Sequence, residues 1–260
     1  MVHPLLQEAA AVPSGIAKCW RPFYRAYPPR CPLAFVSSLN RRVAVYPPRE
    51  YVWVRIPKAA NSTIAATLWA AMAEAGDAVT GQTGGKDSDK QRFVRPSALS
   101  AEQVRAVRER YFKFIFVRNP YTRVLSAYLN KGRPGKDRGR KFGQTEALMG
   151  TRTGFEHFCR YLANGGLRKD AHWYPQSGLC PFSPVELDFI GRMEALGEDL
   201  ERQLAQLGLP WQGIVQAGPQ PTRARERVAE FYTEESRRLV ASLYAEDFRA
   251  FGYQQELEAV

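Results

Sequence analysis

The clearest signal along the chain is an unbroken run of aromatic and β-branched residues, Tyr51-Val-Trp-Val-Arg-Ile56, with Arg55 as its one polar position. Such a run predicts a strand buried on both faces. A small polar connection, Pro57–Thr63, leads into Ile64–Ala75, whose Ala- and Leu-rich composition predicts a helix. Asn61 or Ser62 is the expected N-cap. The succession then repeats. Phe112–Val117 predicts a second strand, Arg118-Asn-Pro120 a turn, and Thr122–Lys131 a helix. Strand, turn and helix in that order, twice, predict an α/β fold with a parallel β-sheet flanked by helices.

Weaker patterns fill the rest. Helices are expected at 100–110, capped by Ser100 with Glu102 and Gln103 in the first turn, and at 155–163, 195–207 and 234–246. Val185–Ile190 is a third strand candidate. Residues 76–97, polar and Gly-rich, predict a surface loop. The first fifty residues hold Pro22, Pro28, Pro29, Pro32, Pro47 and Pro48. They predict an irregular arm laid over a single domain that runs from 51 to 260.

Composition narrows the class. A length of 260 residues suits one α/β domain, and 45% hydrophobic with 24% charged residues is ordinary for a globular chain. No run of about 18 apolar residues is present, so no transmembrane helix and no stable membrane insertion are expected. Met1–Ala11 lacks a basic segment ahead of an apolar one, so the chain reads as soluble and cytoplasmic. Cys19, Cys31, Cys159 and Cys180 match no zinc spacing, and free thiols are expected. A Cys19–Cys31 bridge is the alternative, with no support in the sequence. The net charge of +11 points to a polyanionic partner: nucleic acid, anionic lipid, an acidic glycan or a multiply charged nucleotide.

Two connections carry the candidate chemistry. A strand that turns tightly into a helix presents backbone N–H groups and the positive end of the helix dipole to an anion. In Pro57-Lys58-Ala59-Ala60-Asn61-Ser62-Thr63 the small residues let backbone approach a phosphate, Ser62 and Thr63 add hydroxyls, and Lys58 adds a charge. The same loop also suits an ordinary connection with a solvated Lys58. It is not a Walker A loop, in which Lys directly precedes Ser or Thr. After the second strand, Arg118 offers bidentate phosphate recognition and Ser126, two turns into the next helix, a hydroxyl. Open α/β sheets bind ligands beyond their strand carboxyl ends. Two such ends suit a nucleotide phosphorylated at two places.

The segments Ile56-Pro-Lys-Ala-Ala-Asn-Ser-Thr63 and Phe116-Val-Arg-Asn-Pro-Tyr-Thr-Arg-Val-Leu-Ser-Ala-Tyr-Leu-Asn-Lys131 resemble the two nucleotide-binding motifs of the carbohydrate sulfotransferases, in the chondroitin 4-O- and HNK-1-type branch. Those enzymes use 3′-phosphoadenosine 5′-phosphosulfate (PAPS). Similar agreement extends through Thr145–Leu148, Phe155–Leu162, His172-Trp173 with Leu179-Cys180, Asp188–Glu194 and Tyr244–Tyr253. The resemblance implies a P-loop-like sulfotransferase fold, PAPS as co-substrate without a metal, and a sugar hydroxyl as acceptor. It implies that Lys58, Ala59, Ala60, Asn61, Ser62 and Thr63 hold the 5′-phosphosulfate and that Arg118 and Ser126 hold the 3′-phosphate. Where the branch often has a Cys, this chain has Ala59-Ala60-Asn61, and the family's second Cys after the one matched by Cys180 is replaced near Phe182 and Ser183.

Sulfuryl transfer asks the protein mainly for positioning and charge stabilisation. Lys58 suits the bridging oxygen and the leaving phosphate. His172, in an aromatic loop with Trp173 and Tyr174, is the candidate general base. Glu74, Asp170 and Glu194 are fallbacks, and His157 reads as structural. Arg223 and Arg225 are candidates to close over the nucleotide. The basic stretch Lys131–Lys141, with six basic residues and one acidic one, is either a solvated loop or a rim that steers an anionic glycan. Two rivals stand beside this reading: a P-loop-like kinase, which needs Mg²⁺ ligands the chain does not display, and a nucleic-acid-binding module, for which no reader motif is present. An inactive relative that binds PAPS as a scaffold is a third.

Overall fold

The computed structural model describes residues 4–77, 93–131, 146–218 and 221–256. The basic stretch beyond Lys131 and the Gly84–Lys90 segment lie outside them. The chain divides into two compact units, Met1–Val117 with Gly178–Gly218, and Arg118–Ser177 with Pro219–Val260.

The first unit carries the sheet. Its strands are β1 (Val43–Tyr46), β2 (Tyr51–Val54), β3 (Phe112–Val117) and β4 (Phe189–Arg192), in that spatial order. β2 and β3 pair in parallel from Tyr51 opposite Phe112, and β3 and β4 in parallel from Phe114 opposite Phe189. β1 runs antiparallel to β2, so the sheet is mixed where an all-parallel one is expected. The turn Pro47–Arg49, closed by Glu50 in the left-handed region at φ 47°, folds β1 directly back along β2. A connection this short permits only antiparallel pairing. The third expected strand is shifted in sequence. Residues 184–186 form a 3₁₀ turn started by Pro184, and β4 begins at Phe189.

The first fifty residues are not irregular. They form α1 (Pro4–Cys19), α2 (Pro22–Ala26), α3 (Leu33–Arg42) and β1. Three of the prolines mark starts: Pro22 opens α2, Pro32 is the N-cap of α3 and Pro47 opens the 3₁₀ turn, whereas Pro13 lies inside α1. A first-turn proline forfeits no intrahelical hydrogen bond, which is why these helices tolerate it. The unit continues with α4 (Asn61–Glu74) and α5 (Ala101–Glu109). Ser100 caps α5 as expected, and Gln103 completes a capping box with it. Among the described residues no helix is long and apolar enough to cross a membrane.

One core of this unit gathers Tyr51, Trp53, Phe114 and Phe116 from the strands, Ile64, Leu68, Trp69 and Met72 from α4, and Leu200 and Leu204 from α9 (Leu196–Gln206). Each fully buried side chain of this size contributes roughly 1.5–3 kcal/mol relative to exposure. α4 is therefore held by its apolar face rather than by propensity alone.

The second unit is helical. It contains α6 (Pro120–Lys131), α7 (Arg152–Ala163), the first half of the single turn α8 (Gln176–Leu179), α10 (Val228–Phe231), α11 (Glu234–Leu243) and α12 (Ala245–Ala250). Tyr128, Phe155, Phe158, Trp173, Phe231, Tyr232, Tyr244 and Phe248 form its core. The Tyr232 hydroxyl donates to the carbonyl of Tyr121 at 2.8 Å, and the Trp173 indole to that of Gly166 at 2.8 Å. Buried aromatic rings with polar tips thus pack and fix backbone together.

Phe116 and Gly191 face each other across β3 and β4, and a Cβ on Gly191 would lie 2.4 Å from the Phe116 ring. Gly191→Ala is expected to cost about 1–3 kcal/mol, the usual penalty of overpacking a full core, read as a fall in the urea midpoint.

Candidate functional site

The loop after β2 has a specific backbone. Lys58 adopts φ 71° and Ala60 φ 52°, both in the left-handed region that non-glycine residues seldom occupy. Such positions each cost of order 1 kcal/mol or more and persist where the surroundings enforce them. Here the enforcement is visible. The Ile56 carbonyl accepts from the Ala59 N–H at 3.3 Å and from Asn61 Nδ2 at 2.7 Å, which draws the loop closed. Asn61 is therefore not the N-cap. That position belongs to Ala60, which has no capping side chain, and Asn61 spends its amide on the loop behind it.

The consequence is an open helix start. The first intrahelical bond of α4 runs from the Ile64 N–H to the Ala60 carbonyl. The N–H groups of Asn61, Ser62 and Thr63 stand ahead of it, where helix starts collect anions. Lys58 is half-buried, Ala59 buried and Ser62 exposed. The Thr63 hydroxyl donates to the Ala217 carbonyl at 3.1 Å, and the Thr67 hydroxyl accepts from the Val215 N–H at 3.0 Å. Thr63 therefore has its backbone N–H, not its hydroxyl proton, to offer a phosphate. These two threonines fasten residues 215–218 to α4. Gly218, at φ 101°, lies so close that a Cβ there would come 2.8 Å from that of Ser62.

In the second unit Arg118 directly follows β3 and is buried at 6% exposure. Its Nε donates to the Thr122 hydroxyl at 2.9 Å, and Thr122 donates to the Asn119 carbonyl at 3.2 Å. The guanidinium is held on the first turn of α6 by an i, i+4 contact. Ser126, one turn further and 2% exposed, is joined by Thr222, whose hydroxyl lies 3.0 Å from its own. Thr222 was not legible beforehand, since 96 residues separate the pair. Arg223 beside it is exposed and left-handed at φ 49°, and Arg225 is exposed in the next turn.

His172 is half-buried. Asp170 Oδ1 accepts its backbone N–H at 2.8 Å and lies 2.6 Å from Nδ1. A carboxylate only accepts, so Nδ1 carries the proton and a neutral ring has its lone pair on Nε2. Asp170, a fallback base by sequence, is instead the partner that orients His172. Of the others, Glu74 and His157 are exposed on α4 and α7, and Glu194 is half-buried in a 3₁₀ turn. The four cysteines are free thiols, and burial pushes the Cys31 and Cys180 thiols up to about 12.

The model of the sulfotransferase family matches residues 41–254, which takes in β1 as well as the two motif segments. Among curated proteins, the chain is 30% identical over 190 residues to carbohydrate sulfotransferase 14 of Danio rerio, covering 67% of this chain and 50% of that one. It is 29% identical over 206 residues to carbohydrate sulfotransferase 14 of Homo sapiens, covering 75% and 54%. It is 28% identical over 196 residues to human carbohydrate sulfotransferase 10, covering 65% and 54%. The chain spans about half the length of these relatives. No solved structure matches it.

If Thr63 fastens the 215–218 segment, Thr63→Val is expected to lower stability by about 0.5–1.5 kcal/mol, the net worth of one hydrogen bond, and Thr63→Ser to restore most of it. Urea unfolding of the three proteins provides the comparison, and an unchanged midpoint for Thr63→Val would contradict the assignment.

Proposed function

From the premise that the chain belongs to the sulfotransferase family, we propose that it is an enzyme that moves a sulfuryl group from PAPS to a hydroxyl, on a carbohydrate. The observation that carries this reading is the start of α4. Its leading N–H groups stand behind a left-handed turn that carries Lys58 and is tied shut by Asn61. That is a cradle for a doubly charged group, built from backbone and one cation. Arg118 and Ser126 supply a guanidinium and a hydroxyl for a second phosphate, as the family motif implies. The names of the relatives support a glycan acceptor.

The nucleotide brings the activated sulfuryl group. The chain's own residues have two tasks. Lys58 and the N–H groups of Asn61, Ser62 and Thr63 stabilise charge as it collects on the leaving 5′-phosphate. His172 Nε2, set by the Asp170 carboxylate, takes the proton from the acceptor hydroxyl as its oxygen attacks sulfur. The soluble, cytoplasmic setting and the roles of Arg223 and of the basic stretch after Lys131 belong to the same proposal.

The test is calorimetric titration with adenosine 3′,5′-bisphosphate, without Mg²⁺ and with ATP as control. Binding of the bisphosphate is expected, weakened about 10–100-fold by Arg118→Ala or Ser126→Ala, the range for a hydrogen bond to a charged group. In sulfation assays on a panel of glycans, Lys58→Ala is expected to lower kcat by about 10²–10³ with the fold intact. Metal-dependent ATP binding without bisphosphate binding would overturn the reading.

A further inference from the structure

Arg118 is the first residue past the end of β3, and its peptide is engaged by the side chain of Gln176. Its Oε1 accepts the Arg118 N–H at 3.0 Å, and its Nε2 donates to the Arg118 carbonyl at 2.8 Å. A primary amide presents one acceptor and one donor side by side, as a neighbouring peptide would. Gln176 is 0% exposed, so neither bond competes with water.

Gln176 is itself held. Asp247 on α12, also 0% exposed, accepts the Gln176 N–H at 2.8 Å, the Ser177 N–H at 2.8 Å and the Ser177 hydroxyl at 2.7 Å. Burial pushes the Asp247 carboxyl up, and the charge of Arg123 together with these three donors pulls it back. Arg123 is fully buried on α6, the helix that Arg118 leads into. Arg118, Gln176 and Asp247 are thus joined in series by hydrogen bonds, and the charge of Arg123 acts on the last of them. The same short segment carries His172, and it is tied at further points. The Tyr244 hydroxyl donates to the Trp173 carbonyl, and Arg123 Nη2 to the Ala171 carbonyl at 3.5 Å.

We propose that Gln176, fixed by Asp247, is a positioning residue for the 3′-phosphate: it sets the peptide of Arg118 so that the guanidinium stands ready before the nucleotide arrives. The inference rests on Arg118 being the 3′-phosphate residue. Preorganisation of this kind strengthens binding by removing the cost of ordering the binding group. The remainder of the nucleotide gains nothing from it, and that difference is the measurable signature.

The experiment compares adenosine 3′,5′-bisphosphate with adenosine 5′-phosphate by calorimetry on the full chain, for wild type, Gln176→Ala, Arg118→Ala and the double variant. Gln176→Ala is expected to weaken the bisphosphate about 10-fold and to leave the monophosphate unchanged. In the Arg118→Ala background the effect of Gln176→Ala is expected to vanish, because residues acting as one unit are not additive. Thermal melts check folding. Should Gln176→Ala not fold, Gln176→Glu takes its place, since a carboxylate still accepts the Arg118 N–H but cannot donate to its carbonyl. Equal weakening of both nucleotides, or losses that add in the double variant, would overturn the positioning role while leaving Arg118 in place. A wild-type chain that binds the bisphosphate no better than the monophosphate would remove the 3′-phosphate assignment, and the positioning role with it.

Discussion

The parallel pairing of β2 with β3 is the constraint on which the rest depends. With Tyr51 opposite Phe112 and Val54 opposite Ile115, both strands end at the same edge of the sheet. Each is followed within a few residues by a helix start, α4 after β2 and α6 after β3. Parallel strands cannot be joined by a tight turn, so a long crossover must intervene, and the two helix starts come from distant parts of the chain. The aromatic stack of Tyr51, Trp53, Phe114 and Phe116 on the sheet fixes that register, because a slip by one residue would turn every ring to the other face.

At the two strand ends the chain solves different problems. After β2 it leaves an uncapped helix start, and the strain at Lys58 and Ala60 is offset by the Asn61 amide and by the buried face of α4. After β3 it relies on side chains, with the Arg118 guanidinium braced by Thr122 and its peptide completed by Gln176. The first device suits a charge that changes during a reaction, since backbone dipoles need no rearrangement. The second suits a charge that is simply recognised.

Much of this was legible in the sequence where the signal was local. The strand that begins at Tyr51, the helix that holds Thr122–Lys131 and the cap at Ser100 all stand in short windows. The helices of the first fifty residues were missed because proline was read as a breaker when Pro22 and Pro32 stand at helix starts. The cap of α4 was misassigned because Asn61 has a better use for its amide, five residues back. Thr222 beside Ser126 and Gln176 beside Arg118 join residues 96 and 58 positions apart, and no periodicity reports such pairs. Asp247 lay in a recognised motif, but its partners at 176 and 177 appear only once the chain is folded.

The left-handed turns at Lys58 and Ala60 also bear on the order of events in time. An unfolded chain seldom samples that basin at one non-glycine residue and samples it at two nearly adjacent ones far less often. The loop therefore cannot nucleate structure. It takes its form only after β2 has docked in the sheet and α4 has buried Ile64, Leu68 and Met72. The shape of this turn is thus a consequence of the packing of β2 and α4 and not a cause of it.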